Sequence, residues 1–213
     1  MEEAVGQGDQ EIEVKFYLRD LAGLEERLKR QGAALVAERV FEINLRFDRP
    51  DKALQRAGQV LRLRQDTRSV VTFKGPARGA GGASARQEIE FQVDDFEAAR
   101  RVFEALGYQV SVMYEKFRTT YRLEDVLVTL DEMPYGAFAE IESAAGSAEA
   151  AARAIRAAAE RLGLDWEARI TLSYLAIFDQ LRSRRGLTAR NLSFAEFQNI
   201  TVTAEDLSLR YGD

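Results

Sequence analysis

Apolar and charged residues alternate along much of this chain. From Gln10 to Leu18 one parity holds Ile12, Val14 and Phe16, and the other holds Glu11, Glu13 and Lys15. That is the period of a strand whose two faces differ in polarity. The alternation returns in residues 34–48, which break at Arg49-Pro50. It returns again in QVLRLRQD and SVVTFKG, whose short polar connection predicts a hairpin. RQEIEFQV, 108–123, 126–132 and 137–143 read as further strands, with turns at Glu124-Asp125 and at Met133-Pro134-Tyr135-Gly136. Helical spacing marks 21–31 up to Gly32, 95–106 up to Gly107, 147–162 up to Gly163, and 170–185, with a short helical stretch at 51–57. The glycine-rich run 75–85 (GPARGAGGASA) predicts a loop, and the tail 186–213 carries no clear period. About eight strands, mostly in hairpins, alternate with helices, and no break in composition divides them. The expectation is one α+β domain over 10–185, a closed eight-stranded antiparallel β-barrel covered by helices, followed by a C-terminal extension, 186–213, of unassigned role.

The polar faces are unusual in composition. Arg62 and Arg64 oppose Leu61 and Leu63; Lys74 follows Thr72; Arg86, Glu88 and Glu90 oppose Ile89 and Phe91; Lys116 and Arg118 flank Phe117; Glu140 and Glu142 flank Ile141. These faces are almost purely acid and base. They are also sorted, with Arg62, Arg64 and Lys74 on neighbouring strands and Asp131, Glu140 and Glu142 on another pair. Two readings stand. A sheet with one wet face is common. The alternative is an inverted barrel, with charges lining a watery tunnel and helices over the apolar outside. An isolated buried ion costs on the order of 10 kcal/mol or more. Such a tunnel therefore needs water, counterions and a charged ligand. A polyphosphate with a divalent metal suits both sets of charges.

Composition narrows the chemistry. The net charge is −5, so an anionic partner must be met by a local cationic cluster, and neither nucleic acid nor an anionic membrane is an expected partner. Cysteine and histidine are both absent. Disulfides, thiolate sites and imidazole chemistry are thereby excluded, and any metal must be a hard ion on carboxylates, such as Mg²⁺ or Mn²⁺. No run approaches the ~20 apolar residues of a membrane span, and the polar start MEEAVGQGDQ does not read as a signal peptide. The expected compartment is the cytoplasm. Gly79, Gly81 and Gly82 are not a P-loop, because no Gly-Lys-Ser/Thr follows them.

The stretch Glu11-Ile12-Glu13-Val14-Lys15 has the form ExExK. It is followed in order by LRLR at 61–64, TFKGP at 72–76, RQEIE at 86–90, EKFR at 115–118, LD at 130–131 and FAEIE at 138–142. With these motifs the chain resembles the CYTH family, the triphosphate tunnel metalloenzymes: class IV adenylyl cyclases, thiamine triphosphatases and inorganic tripolyphosphatases. The resemblance implies a tunnel barrel and a small-molecule triphosphate as substrate. It implies Lys15, Arg62, Arg64, Lys74, Arg86, Lys116 and Arg118 as phosphate ligands. It implies Glu11, Glu13, Asp131, Glu140 and Glu142 as ligands of Mg²⁺ or Mn²⁺, with Glu88 and Glu90 ordering the cations or a second metal.

The departures are specific. Many thiamine triphosphatases carry a tyrosine that pairs with the lysine of the TFKGP-type motif; Arg46 stands there, with Asn44 at the place of a common aspartate. Arginine cannot act as a base at ordinary pH. Arg46 is therefore expected to bind or to stabilise charge, and Lys74 or metal-bound water to take the proton. The His-Phe pair common ahead of ExExK in class IV cyclases is absent, whereas TFKGP, RQEIE and Ser173-Tyr174 look closer to the cyclase branch. The expected activity is triphosphate hydrolysis. ATP cyclisation to cyclic AMP and pyrophosphate is the alternative, and a non-catalytic polyphosphate or nucleotide binder the second. The apolar tail residues Leu192, Phe194, Phe197, Ile200 and Leu207 are expected to pack either on the barrel or on a second subunit of a homodimer.

Overall fold

A computed structural model describes the backbone of residues 10–76, 78–80, 83–143 and 147–213, and side chains over the same range except at 10–11, 78–80 and 83–86. The strands are β1 (Gln10–Leu18), β2 (Ala34–Asp48), β3 (Val60–Gln65), β4 (Ser69–Lys74), β5 (Arg78–Ala80), β6 (Ala83–Val93), β7 (Gln109–Leu123), β8 (Val126–Met133) and β9 (Gly136–Ser143). The helices are α1 (Leu21–Arg30), α2 (Ala53–Arg56), α3 (Phe96–Ala105), α4 (Ala148–Arg161), α5 (Tyr174–Arg185), α6 (Phe194–Phe197) and α7 (Ala204–Leu207). The protein is α+β, and the described strands pair antiparallel. They run in the order β1-β9-β8-β7-β2-β3-β4-β6-β5. β1 also pairs by its other edge with β6, where Gln10–Glu13 lie opposite Ser84–Gln87. Among the described residues no helix is long and apolar enough to cross a membrane.

The apolar parity of each strand is covered by helices. Ile12, Val14 and Phe16 of β1 join Val128, Leu130 and Ile141 in one core beneath Leu24 and Leu28 of α1 and Ile155 and Ala159 of α4. Leu45, Phe47, Leu63 and Val71 form a second core under α3, where Phe103 meets Phe47 edge-on at 5.1 Å between ring centroids. The helix starts are locally encoded. Asp20, Asp95, Ser147 and Ser173 each accept a backbone N–H from the first turn of α1, α3, α4 and α5.

Two expectations are corrected. Residues 75–85 are not a plain loop: β5 and the start of β6 form a hairpin, with Arg78 opposite Ala85 and Gly79 opposite Ser84. Small residues of low strand propensity pair here because the backbone bonds need no side chain and β1 offers an open edge. The second correction concerns the last long helix. Residues 170–173 are not helical. The Ile170 backbone exchanges hydrogen bonds with that of Lys15, and α5 begins only after Ser173. Nor does α5 lie over the outer face. Its Tyr174, Ile177, Phe178 and Leu181 pack against Tyr17, Met133 and Phe138, which share parity with the charged residues of their strands. The charged face is thus apolar toward one end, and α5 stoppers it. Leu192, Phe197 and Leu207 of the tail complete this third core, so the tail packs on its own chain. Phe194 meets Phe41 and Phe117 at 6.4 and 5.3 Å between ring centroids.

Gly136 has φ +142°, and a Cβ there would come within 2.6 Å of the Tyr17 ring. Strained backbone of this kind costs about 1–3 kcal/mol before the clash is counted. Gly136→Ala is expected to lower the unfolding free energy by that amount or more, read as a lower urea midpoint at an unchanged slope.

Candidate active site

Strand register delivers the charged residues to one place. On β1 and β9, Glu13 lies opposite Glu142 and Lys15 opposite Glu140. On β2 and β7, Glu42 lies opposite Lys116 and Asn44 opposite Tyr114. Arg46 faces Arg62, and Arg62 faces Thr72, on successive strands. Thr72 then faces Glu90 and Lys74 faces Glu88, while Arg118 faces Asp131. Cross-strand partners share a face, so the polar parity of one strand continues in the next.

The result is a cavity of about 260 Å³. Of the residues expected from the sequence, Lys15, Arg46, Arg62, Arg64, Lys74, Lys116 and Arg118 line it with Glu13, Glu140 and Glu142. Glu88 and Glu90 line it as well. Asp131 lies behind the lining, fully buried. The side chains of Glu11 and Arg86 lie outside the described residues; their backbones stand opposite one another on β1 and β6.

Ion pairs organise the interior. Arg118 grips Asp131 with a two-pronged contact, Nε to Oδ1 at 2.6 Å and Nη2 to Oδ2 at 2.5 Å, and also donates to Glu140. Asp131 Oδ2 further accepts from Lys116 at 3.1 Å and from the Tyr174 hydroxyl at 2.8 Å. Lys15 donates to Glu13 at 2.6 Å and lies 3.0 Å from Glu140. Arg62 holds Thr72 Oγ1 at 3.1 Å and Glu90 at 3.3 Å; Lys74 lies 2.8 Å from Glu88. Burial opposes charge on Glu140, yet Lys15, then Arg118 and Lys116, hold its carboxyl well below the usual range. Burial likewise opposes the Lys15 ammonium, which Glu13 and Glu140 hold protonated far into the alkaline range. On Glu42 burial acts upward, and Lys116, Arg118, Arg64 and Arg62 outweigh it to bring the carboxyl down to about 2. Tyr174 goes the other way: burial, then Asp131 and Glu140, push its phenol well up, which keeps it a donor.

The sequence reading missed Glu42 and Tyr114, although their parity with Arg46 and Lys116 marks both. Thr171, Ser173 and Tyr174 also line the cavity. No strand pattern could have found these, because the turn ahead of α5 brings them in.

For a divalent metal the fit is one of donor chemistry. The acids supply oxygen alone, as a hard ion requires, and Glu13 opposite Glu142 is a like-charge pair that is unfavourable without a cation between. Among the described residues no group of three or more acids stands ready-gathered for a metal. Asp131 and Glu140 are instead engaged by lysine and arginine.

Residues 9–174 match the CYTH domain. The chain belongs to the CYTH family. A Methanocaldococcus jannaschii protein named "putative adenylate cyclase" is 30% identical over 134 residues, 62% of this chain and 75% of that one. A Pyrococcus horikoshii structure is similar at TM-score 0.69 and 27% identity, covering 78% of this chain and 98% of that one. A Vibrio parahaemolyticus structure, also described as a "putative adenylate cyclase", shares the CYTH fold at TM-score 0.72 and 23% identity, over 81% of this chain and 99% of its own. So does a Hippeastrum protein, described as having a dominant triphosphatase activity, at TM-score 0.61 and 18% identity, over 80% of this chain and 95% of its own.

The buried Glu42 sets a pH dependence of stability. Its folded pKa lies below its ordinary 4.5, so its contribution is complete above that value and is lost as pH falls toward about 2. Glu42→Gln is expected to lose on the order of 3 kcal/mol near neutral pH. In melts across acid pH, the gap to wild type should close as the medium is acidified.

Proposed function

We propose that this CYTH protein hydrolyses the triphosphate group of a small molecule: tripolyphosphate, thiamine triphosphate or a nucleoside triphosphate. The observation that carries the reading is the sorted cavity, with Arg62, Arg64, Lys74, Lys116 and Arg118 on β3, β4 and β7 and Glu13, Glu140 and Glu142 on β1 and β9. On this reading the pairing of β1 with both β9 and β6 closes eight strands into a tunnel. The tunnel domain is 10–185, and 186–213 is the extension that backs its stoppered end.

The residues divide the work by chemistry. Arginine forks and lysine ammonium groups hold phosphoryl oxygens and neutralise the charge that grows on them and on the leaving group. Mg²⁺ or Mn²⁺ held by Glu13, Glu140 and Glu142, with Glu11 on the same strand and Asp131 behind, would add Lewis acidity toward those oxygens. Arg46 stays cationic and extends the cradle beside Arg62. Lys74, at the cavity wall with Glu88 as its counterion, is the proposed acceptor of the proton from attacking water; it must first give up its own proton to solvent, which its cationic neighbours in the lining favour. α5 excludes solvent from one end through Tyr174 and Phe178. The Hippeastrum protein, with its dominant triphosphatase activity, lends support to hydrolysis in this fold. Cyclisation of ATP is the second reading, favoured by the name of the Methanocaldococcus relative.

A panel of triphosphates with Mg²⁺ or Mn²⁺, scored together for phosphate, pyrophosphate and cyclic AMP, tests the reading. Phosphate release is expected, and excess chelator should abolish it. Cyclic AMP with pyrophosphate from ATP would select cyclisation. Arg64→Ala should weaken tripolyphosphate binding by roughly 1.5–3 kcal/mol and leave adenosine binding unchanged; equal losses would remove Arg64 from the phosphate site. Arg46→Tyr should be tolerated and Lys74→Arg damaging. A Lys74→Arg enzyme that retains both its rate and its alkaline limb would assign the proton elsewhere.

A further inference from the structure

Two phenols line the cavity: the Tyr174 hydroxyl donates to Asp131, whereas that of Tyr114 meets the cation Arg62. The Tyr114 ring is clamped by packing: it is 7% exposed within the core that α5 and the tail complete, and Leu192 hydrogen-bonds to the backbone on either side, at Met113 and Glu115. Its hydroxyl accepts from Arg62 Nη1 at 3.4 Å. Arg62 cannot accept in return, and among the described residues the phenol proton has no hydrogen-bond acceptor. Asn44, directly opposite on β2 and fully buried, likewise has no hydrogen bond to its amide oxygen or nitrogen among the described residues. Buried polar groups are rarely left so, and two together beside Arg46 and Arg62 mark a place where an oxygen-rich ligand belongs.

We propose that Tyr114 is a phosphate-binding residue, its O–H donating to a phosphoryl oxygen of the bound chain for as long as the phenol keeps its proton. The inference rests on the triphosphate reading of the cavity and adds to it a ligand and an alkaline limit. The charged groups around the phenol are Arg62 from β3, Arg46 from β2 and Lys116 from its own strand; Tyr135, ahead of β9, is a neutral neighbour, and from the tail Leu192 pairs with the Tyr114 backbone. Burial resists ionisation of Tyr114, but Arg62, then Lys116 and Arg46, outweigh it and bring the phenol below its ordinary value of 10.0. Tyr17, Tyr121, Tyr135 and Tyr174 all shift upward. As pH rises through the Tyr114 transition the donor is lost and a negative charge enters the anion site, so anion affinity falls. By reciprocity, a bound anion must raise the Tyr114 transition.

The experiment uses the full chain in Mg²⁺-free buffer with inorganic tripolyphosphate as probe. Tyrosinate absorbance is followed through alkaline pH for wild type and Tyr114→Phe, with and without the probe, and probe affinity is measured by calorimetry at neutral and alkaline pH. Phenylalanine keeps the ring, and an unchanged melting temperature confirms the fold. The expected result is an early one-tyrosine step in wild type that tripolyphosphate moves to higher pH and that Tyr114→Phe lacks. Tyr114→Phe should bind the probe about tenfold more weakly at neutral pH, and the gap should narrow at alkaline pH. Equal affinity of the two proteins at neutral pH, or a first tyrosine step that survives the substitution or ignores the probe, would overturn the inference and leave the triphosphate reading standing. Failure of wild type to bind tripolyphosphate at all would bring down both.

Discussion

The buried carboxylate of Asp131 is the interaction on which the site depends. It has no exposure, and it takes two bonds from Arg118, one from Lys116 and one from Tyr174. A lone buried carboxylate would be strongly unfavourable; one with four donors is not. The cost of breaking the set is what fixes it. Remove Asp131, and Arg118 and Lys116, neighbours on one face of β7, lose their shared partner and are left with Glu140 and the more distant Glu42. Arg118 and Lys116 are therefore held in one geometry before any ligand arrives, which on the proposed reading is what stabilisation of a transferring phosphoryl group requires. Tyr174 ties this arrangement to α5, so the stopper and the charge network stand or fall together.

The same logic explains why the helices sit where they do. Each strand has one parity that must be kept dry and one that must be kept wet. α1, α3 and α4 dry the outer parity. The inner parity cannot be dried along its whole length, because the paired ions need solvent or ligand nearby. It changes character instead, with Tyr17, Met133 and Phe138 toward one end and lysine, arginine and glutamate beyond them. α5 closes the apolar end with Ile177, Phe178 and Leu181. The opposite side of α5, with Asp179, Gln180, Ser183 and Arg184, stays exposed.

Period-two alternation was enough to find β1 to β4, β7 to β9 and β6 beyond its first residues, and to say which residues share a face. It placed Arg62 with Arg64 and Glu140 with Glu142 because strand parity is a local property. The hairpin at Arg78–Ala80 was not legible, since glycine and alanine carry no facial pattern; only its pairing partners define it. The role of α5 was hidden for a different reason. Tyr174, Ile177, Phe178 and Leu181 read equally well as the buried stripe of an outer helix, and which surface they meet is decided by Ile170 pairing with Lys15 just upstream. Tyr114 lay in plain view two residues before Lys116, but a tyrosine on a strand is ordinarily a packing residue, and only Arg46, Arg62 and Asn44 around it give it another meaning.

The balance of charge bears on how a ligand must enter. Seven lysine and arginine side chains line the cavity against five carboxylates, with Glu42 and Asp131 behind them. Lys15, Lys74, Arg62 and Arg118 already have carboxylate partners. A polyphosphate that takes over these cations must release the acids that held them, and uncompensated acids beside a polyanion are unfavourable. The excess of cations in the lining can draw an anion in. Full engagement is an exchange of partners, and the released carboxylates at Glu13, Glu140 and Glu142 need positive charge in their turn. A divalent cation arriving with the anion would meet that need and reduce the net charge that has to be desolvated. On the proposed reading the acids are thus as much a part of anion recognition as the arginines. They hold the cations apart and soluble in the empty cavity, and they make entry of a bare polyanion less favourable than entry of the same anion with its metal.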